Sequence, residues 1–155
     1  MKAKAKNGKV ISINVSEKTG IKKVPVESAE LKVEFGIVGD AHAGDKREGY
    51  GHRQVSLLAI KSIDKIVEMG LDVSHGDFAE NLTTEGVALT DLPLGTTIKF
   101  PGGVTLEVTQ IGKVCHDRCA IYHTVGDCVM PKEGIFTRVV VGGTISAGDE
   151  IEILQ

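Results

Sequence analysis

No stretch of this sequence approaches the ~20 consecutive apolar residues that cross a bilayer as a helix, so a membrane-spanning protein is not expected. The opening Met1-Lys2-Ala3-Lys4-Ala5-Lys6 lacks the apolar core of a secretory signal, and the expected location is cytoplasmic. Basic residues are not in excess: 18 Lys and Arg against 21 Asp and Glu leave a net charge of −3. That balance argues against a protein that holds nucleic acid by neutralising phosphates. The cluster Lys2, Lys4, Lys6 and Lys9 reads instead as a solvated terminus, with residues 1–7 a frayed tail. Cysteine is scarce. Three thiols cannot pair completely within one chain, and a cytoplasmic protein keeps them reduced, which makes a disulfide framework the weak option. Internal repeats, low-complexity tracts and a credible domain boundary are missing too, so residues 1–155 read as one domain. A chain of this size buries roughly 70% of its unfolded surface without covalent staples.

What is present is mostly β patterning. Gly8 to Ser16 alternates apolar and small polar residues, as a half-buried strand does. Val24-Pro25-Val26 reads as a sheet edge, because proline has no ladder donor, and Glu30 to Phe35 as a second strand. Thr96–Phe100 and Val104–Thr109, joined by Pro101-Gly102-Gly103, read as a hairpin. Ile135–Val141 with Thr144-Ile145 across Gly142-Gly143 reads as another, and Glu150–Leu154 as a last strand. One helix is expected, from Ser56 as N-cap through Leu57, Ile60, Ile63, Ile66 and Val67 to a stop at Gly70. The expected fold is mainly β, a closed or nearly closed β-barrel with one main helix and short helical insertions.

Four segments carry chemistry. Gly39-Asp40-Ala41-His42-Ala43-Gly44 sits where five glycines fall within residues 36–51, a density that permits close backbone approach to a ligand. It reads either as a turn closed by its own Asp and His or as a loop orienting a polar ligand. Arg53-Gln54-Val55-Ser56 places a guanidinium at the expected helix start, an arrangement suited to an anion. Glu80-Asn81-Leu82-Thr83-Thr84 offers a carboxylate, an amide and two hydroxyls. The fourth segment, Cys115 to Cys128, holds every cysteine of the chain together with His116 and His123. Three readings of it stand side by side: structural thiols, a zinc or iron–sulfur site at Cys115, Cys119, His123 and Cys128, or a single reactive thiol at Cys115. Lys113, His116 and Arg118 supply the positive neighbours a thiolate needs.

In this order the segments resemble the MOSC domain, named for the C-terminal domain of molybdenum cofactor sulfurase. The matching motifs are Gly36-Ile-Val-Gly39-Asp40-Ala-His42, Arg53-Gln54-Val55-Ser56-Leu57, Ala79-Glu80-Asn81-Leu82-Thr83-Thr84, and Leu106-Glu-Val-Thr-Gln110 followed by Cys115. The chain is most similar to the short bacterial type, stand-alone or fused to MogA. Ala79 stands where the family usually has glycine, Val114 where proline is common, and Cys119 and Cys128 are additional. The resemblance implies a barrel-like β fold of the pyruvate-kinase type and a domain that binds molybdenum cofactor (molybdopterin). It implies a sulfur carrier with sulfurtransferase-type activity, or else a non-catalytic module for cofactor delivery. Cys115 becomes the persulfide carrier or molybdenum ligand, with Asp40, His42, Arg53, Gln54, Ser56, Glu80, Asn81 and Thr83 as cofactor-binding residues. Implied partners are a cysteine desulfurase-type sulfur donor and a molybdoenzyme acceptor. Pyridoxal phosphate belongs to a separate domain of full-length sulfurases and is not expected on this chain.

Overall fold

The computed structural model describes residues 6–16, 23–40, 54–68, 70, 80–111 and 134–154. Eleven strands and one helix follow in chain order: β1 (Lys6–Val15), β2 (Val24–Val26), β3 (Ser28–Lys32), β4 (Gly36–Ile37), β5 (Val55–Ala59), α1 (Ile60–Glu68), β6 (Leu82–Glu85), β7 (Thr97–Lys99), β8 (Thr105–Ile111), β9 (Ile135–Val141), β10 (Gly143–Ser146) and β11 (Glu150–Leu154). Seven strands, in the order β11-β7-β8-β9-β5-β6-β1, close into a barrel through pairing of β1 with β11 from Lys6↔Ile153 to Lys9↔Glu150. β2 extends the sheet from the far part of β1 as an edge strand, where Pro25 costs no ladder bond. β10, β3 and β4 form a separate small sheet.

Alternation drives closure. In β11 Ile151 and Ile153 face inward while Glu150 and Glu152 face water. Ile13, Leu57, Leu82, Leu106, Ile135 and Ile151 are buried in one core, each contributing roughly 1.5–3 kcal/mol by leaving water. β5 and β6 are the one parallel pair of the barrel, and a parallel pair needs a crossover. α1 lies in that crossover, laying Ile63 and Ile66 against the protein. Gly70 ends it as expected: its φ is 95°, and its N–H donates to Val67 O at 2.9 Å.

Three expectations are corrected. The helix starts at Ile60 and not at Ser56, because residues 56–59 are a strand. β5 pairs on both sides, with β9 and β6, and Val55 to Leu58 are all buried; a helix there would strand those bonds. The strand expected to reach Phe35 stops at Lys32 in a turn with Glu34 at φ 54°, closed by Phe35 N–H to Lys32 O at 3.1 Å. Arg138 reaches this turn, bonded to both Glu107 and Glu34. Its guanidinium is held above its ordinary pKa, chiefly by the Glu107 hydrogen bond. The third correction is that β9 and β10 form no hairpin: β10 pairs with β3, from Gly143↔Leu31 to Ser146↔Ser28. Gly142 carries the chain between sheets so close to Leu31 that a Cβ there would sit 2.7 Å from the Leu31 carbonyl oxygen. The Pro101-Gly102-Gly103 hairpin between β7 and β8 is present as read.

Strand directions define two rims. β5 and β6 begin and β1 ends on the lower rim; β5, β6 and β8 end, and β9 begins, on the upper.

Candidate functional site

The lower rim is organised by a polar stripe on β1. Ser12, Asn14 and Ser16 alternate with the core residues of that strand, yet all three are buried rather than wet. Two of them meet separate motifs. Ser16 donates its N–H to Asp40 Oδ1 at 3.0 Å, and its hydroxyl accepts from Lys23 Nζ at 3.1 Å. Lys23 Nζ also lies 2.7 Å from Asp40 Oδ1, with side-chain exposures of 1% and 0%: a fully withdrawn ion pair. The end of the Gly-x-x-Gly-Asp motif is therefore pinned to the end of β1. Asp40 N–H bonding to Ile37 O at 3.1 Å closes the turn before it.

Asn14 meets the second motif. Its backbone N–H donates to Asn81 O at 2.6 Å, and Asn81 Nδ2 donates back to Asn14 O at 3.2 Å. Asn81 is in turn locked to Ser56. The Ser56 N–H donates to Asn81 Oδ1 at 2.9 Å, and Asn81 N–H donates to Ser56 O at 3.0 Å. Beside it, Glu80 is fully buried and its Oε2 accepts from the Thr83 hydroxyl at 2.8 Å. Gln54 extends the sheet sideways: its side-chain Oε1 accepts from Val139 N–H at 2.9 Å, while its own N–H donates to Thr137 O at 3.1 Å.

Of the residues singled out in the sequence, Asp40, Gln54, Ser56, Glu80, Asn81 and Thr83 thus lie in one buried, hydrogen-bonded region at the lower rim. His42, Arg53, Cys115, Cys119, His123 and Cys128 lie outside the described residues. The strands bracketing the cysteine segment pair as far as Ile111↔Ile135, on the upper rim. The anion site expected where a helix opens at Ser56 is not formed, since that N–H serves Asn81 in a strand. Among the described residues no group of three His, Cys, Asp or Glu is placed to hold a metal ion. Sequence reasoning passed over Asn14, Lys23, Ser12 and Ser16. A signal existed: past Lys9, the polar positions of β1 and its end, Ser12, Asn14 and Ser16, are all uncharged, whereas the wet faces of β3 and β11 carry Glu and Lys.

A cleft of about 1010 Å³ opens elsewhere, between the first turn of α1, the end of β6 and the start of β1. Lys9, Lys61, Glu85 and Glu150 are among its lining residues, and of the described motif residues Thr84 lines it as well. Its size does not make it the site: it gathers charges of both signs, while the lower rim gathers the motifs.

The sequence matches the MOSC domain family over residues 38–152, and the chain belongs to that family, which is associated with molybdenum cofactor sulfurase-like proteins. Among solved structures it is similar to YuaD protein from Bacillus subtilis, at 22% identity and a TM-score of 0.80 over 97% of each chain. YiiM from Geobacillus stearothermophilus is similar at 17% identity and a TM-score of 0.67, over 96% of this chain and 75% of that one. YiiM from Escherichia coli shares 19% identity with a TM-score of 0.62, over 99% and 71% of the two chains. At these identities the likeness is one of fold. No curated protein matches the sequence.

Proposed function

We propose that this chain binds a molybdopterin-type cofactor through the lower-rim residues and uses Cys115 as its sulfur-bearing group, either as a persulfide carrier or as a thiolate ligand to molybdenum. The reading requires the segment between Ile111 and Ile135, whose flanking strands meet on the upper rim, to bring Cys115 across to those residues. The observation that carries the reading is the convergence of two separate motif ends, Asp40 and Glu80-Asn81, on the buried stripe that begins in β1, with a third, Ser56, joined to it through Asn81.

The donor set fits such a guest. Lys23 neutralises Asp40, so that carboxylate does not repel a phosphate. Glu80 is a buried acceptor held by Thr83, suited to the amine and amide N–H groups of a pterin edge. Ser56, Asn81 and Gln54 fix the backbone that carries these groups, and Arg53, next to Gln54 in sequence, is the residue assigned to the phosphate. His42 follows Asp40 by two residues and joins the polar set. Bound molybdenum supplies a soft centre that favours sulfur ligands. Cys115 provides the sulfur, and as thiolate it is the form that accepts and holds a sulfane sulfur. A cysteine desulfurase-type donor and a molybdoenzyme acceptor are the partners this chemistry requires.

The test is to load the purified chain with molybdenum cofactor and to measure bound molybdenum for wild type and Cys115→Ala, alongside mass spectrometry of unreduced protein. The reading expects metal loss in the variant or an adduct of about 32 Da on the Cys115 peptide, the mark of a persulfide. Cofactor retained equally by both proteins, with no adduct, removes Cys115 from the account and leaves a delivery module. One zinc per chain, with unfolding on chelation, selects a structural cluster at Cys115, Cys119, His123 and Cys128 instead.

A further inference from the structure

We propose that Asn14 is a positioning residue of the cofactor site, acting through Thr83 and the Glu80 carboxylate; this rests on the reading of Glu80-Asn81 as part of that site. Asn14 is fully buried and makes five hydrogen bonds of two kinds. Its backbone exchanges two bonds with Asn81. Its side chain belongs to a one-way chain. The Ser12 hydroxyl donates to Asn14 Oδ1 at 2.6 Å, Asn14 Nδ2 donates to Thr83 Oγ1 at 3.2 Å, and the Thr83 hydroxyl donates to Glu80 Oε2 at 2.8 Å. Asn14 Nδ2 also donates to the backbone carbonyl of Glu80 at 3.2 Å. That carbonyl only accepts, which fixes the orientation of the amide and hence the direction of the whole chain.

The direction matters. Thr83 has a single hydroxyl proton, and because the Asn14 amide nitrogen donates to Thr83 and cannot accept from it, that proton goes to Glu80. Every donor thus points toward one carboxylate oxygen, and hydrogen bonds aligned in series polarise one another. Glu80 is held at both ends, its backbone oxygen by Asn14, 66 positions away in sequence, and its Oε2 by Thr83, three positions away. A barrel wall alone needs no such orientation, since an apolar residue would fill the buried position 14 without it.

The isosteric Asn14→Asp variant tests this, because it exchanges one donor for a charged acceptor without changing shape. Carboxylate oxygen then faces the Glu80 carbonyl, and two carboxylates compete for the Thr83 proton. The full chain is titrated with molybdenum cofactor, and amide hydrogen exchange is followed at Asn81, Ser56 and Leu106. The expected result is binding weakened roughly tenfold or more, with faster exchange at Asn81 and Ser56 and unchanged exchange at Leu106. Thr83→Val serves if Asn14→Asp does not fold, and Thr83→Ser, which keeps the hydroxyl, should restore wild-type affinity. Ile13→Val is the control for stability loss alone. Wild-type affinity in Asn14→Asp or Thr83→Val, or an affinity loss equalled by Ile13→Val at matched stability, overturns the role of Asn14. If wild type itself binds no cofactor, the functional reading fails, and the exchange at Asn81 still decides whether Asn14 orders that turn.

Discussion

Asp40 and Lys23 show how a charge can be made to serve position. An isolated carboxylate withdrawn from water is expensive, and so is an isolated ammonium; together, with Ser16 completing the hydrogen bonds, they hold two chain segments in register. Removing one partner takes away the charge that sits 2.7 Å from the other in a buried position. Lys23→Met is expected to lower the unfolding free energy by about 3–5 kcal/mol in urea titration, and the double variant Lys23→Met/Asp40→Asn to recover part of that loss. A single variant within about 0.5 kcal/mol of wild type contradicts this picture of the pair. Asp40 stood out in the sequence because it follows a glycine in a glycine-rich stretch. Lys23 did not, because its partner is chosen by tertiary packing, 17 residues away. Asn14 was hidden for a related reason. Alternation alone assigns the polar face of a strand to water, and only the absence of charge from Ser12 to Ser16 hints otherwise.

At the scale of elements, the informative region is β5 and α1. The apolar spacing of Leu57, Ile60, Ile63 and Ile66 fits a helix, and the last three lie in one; Leu57 belongs to a strand whose neighbours on both sides demand its backbone. Pairing partners far along the chain overrode local periodicity, which is why Gly70 was readable as the helix end while the start was displaced from Ser56 to Ile60. The same displacement moves Ser56 from an anion-binding helix start to a clamp on Asn81. Gly142 makes the comparable point for the second sheet. Two glycines suggested a hairpin, but Gly142 makes a close crossing over Leu31 and Gly143 sits close against Val104. Gly142→Ala is expected to destabilise by roughly 1–3 kcal/mol, because the obstacle is backbone and cannot rotate away. Gly102→Ala is the comparison, since open space surrounds that position and only its φ of 80° resists substitution. Equal midpoints of urea unfolding for wild type and Gly142→Ala would show that the crossing tolerates a methyl group.

For the whole molecule, barrel closure is what places the lower rim. β1 is paired with β11 along one part and with β6 along another, so the strand that closes the wall also carries the stripe joining the motifs. The mainly β class, the edge strand with Pro25 and the alternation of β11 were legible, because each follows from residue periodicity. The strand order was not, since it depends on pairings such as β5 with β6 that no local signal encodes. Of the site, the motif residues were legible through their resemblance to a family, while the residues that gather them were visible only in three dimensions. Ile151→Ala, in the closing strand, is expected to cost about 2–5 kcal/mol of stability by thermal or urea unfolding, a loss that spreads to the rim through β1.

The account turns on where the guest sits, and one binding comparison addresses it. Equilibrium dialysis of the full chain against molybdenum cofactor is run for wild type, Glu80→Gln at the lower rim and Lys61→Glu in the cleft beside α1. The expected result is roughly tenfold or greater loss of affinity for Glu80→Gln with Lys61→Glu unchanged. Undiminished binding by Glu80→Gln, with the loss appearing in Lys61→Glu, would move the site to the cleft and contradict the account.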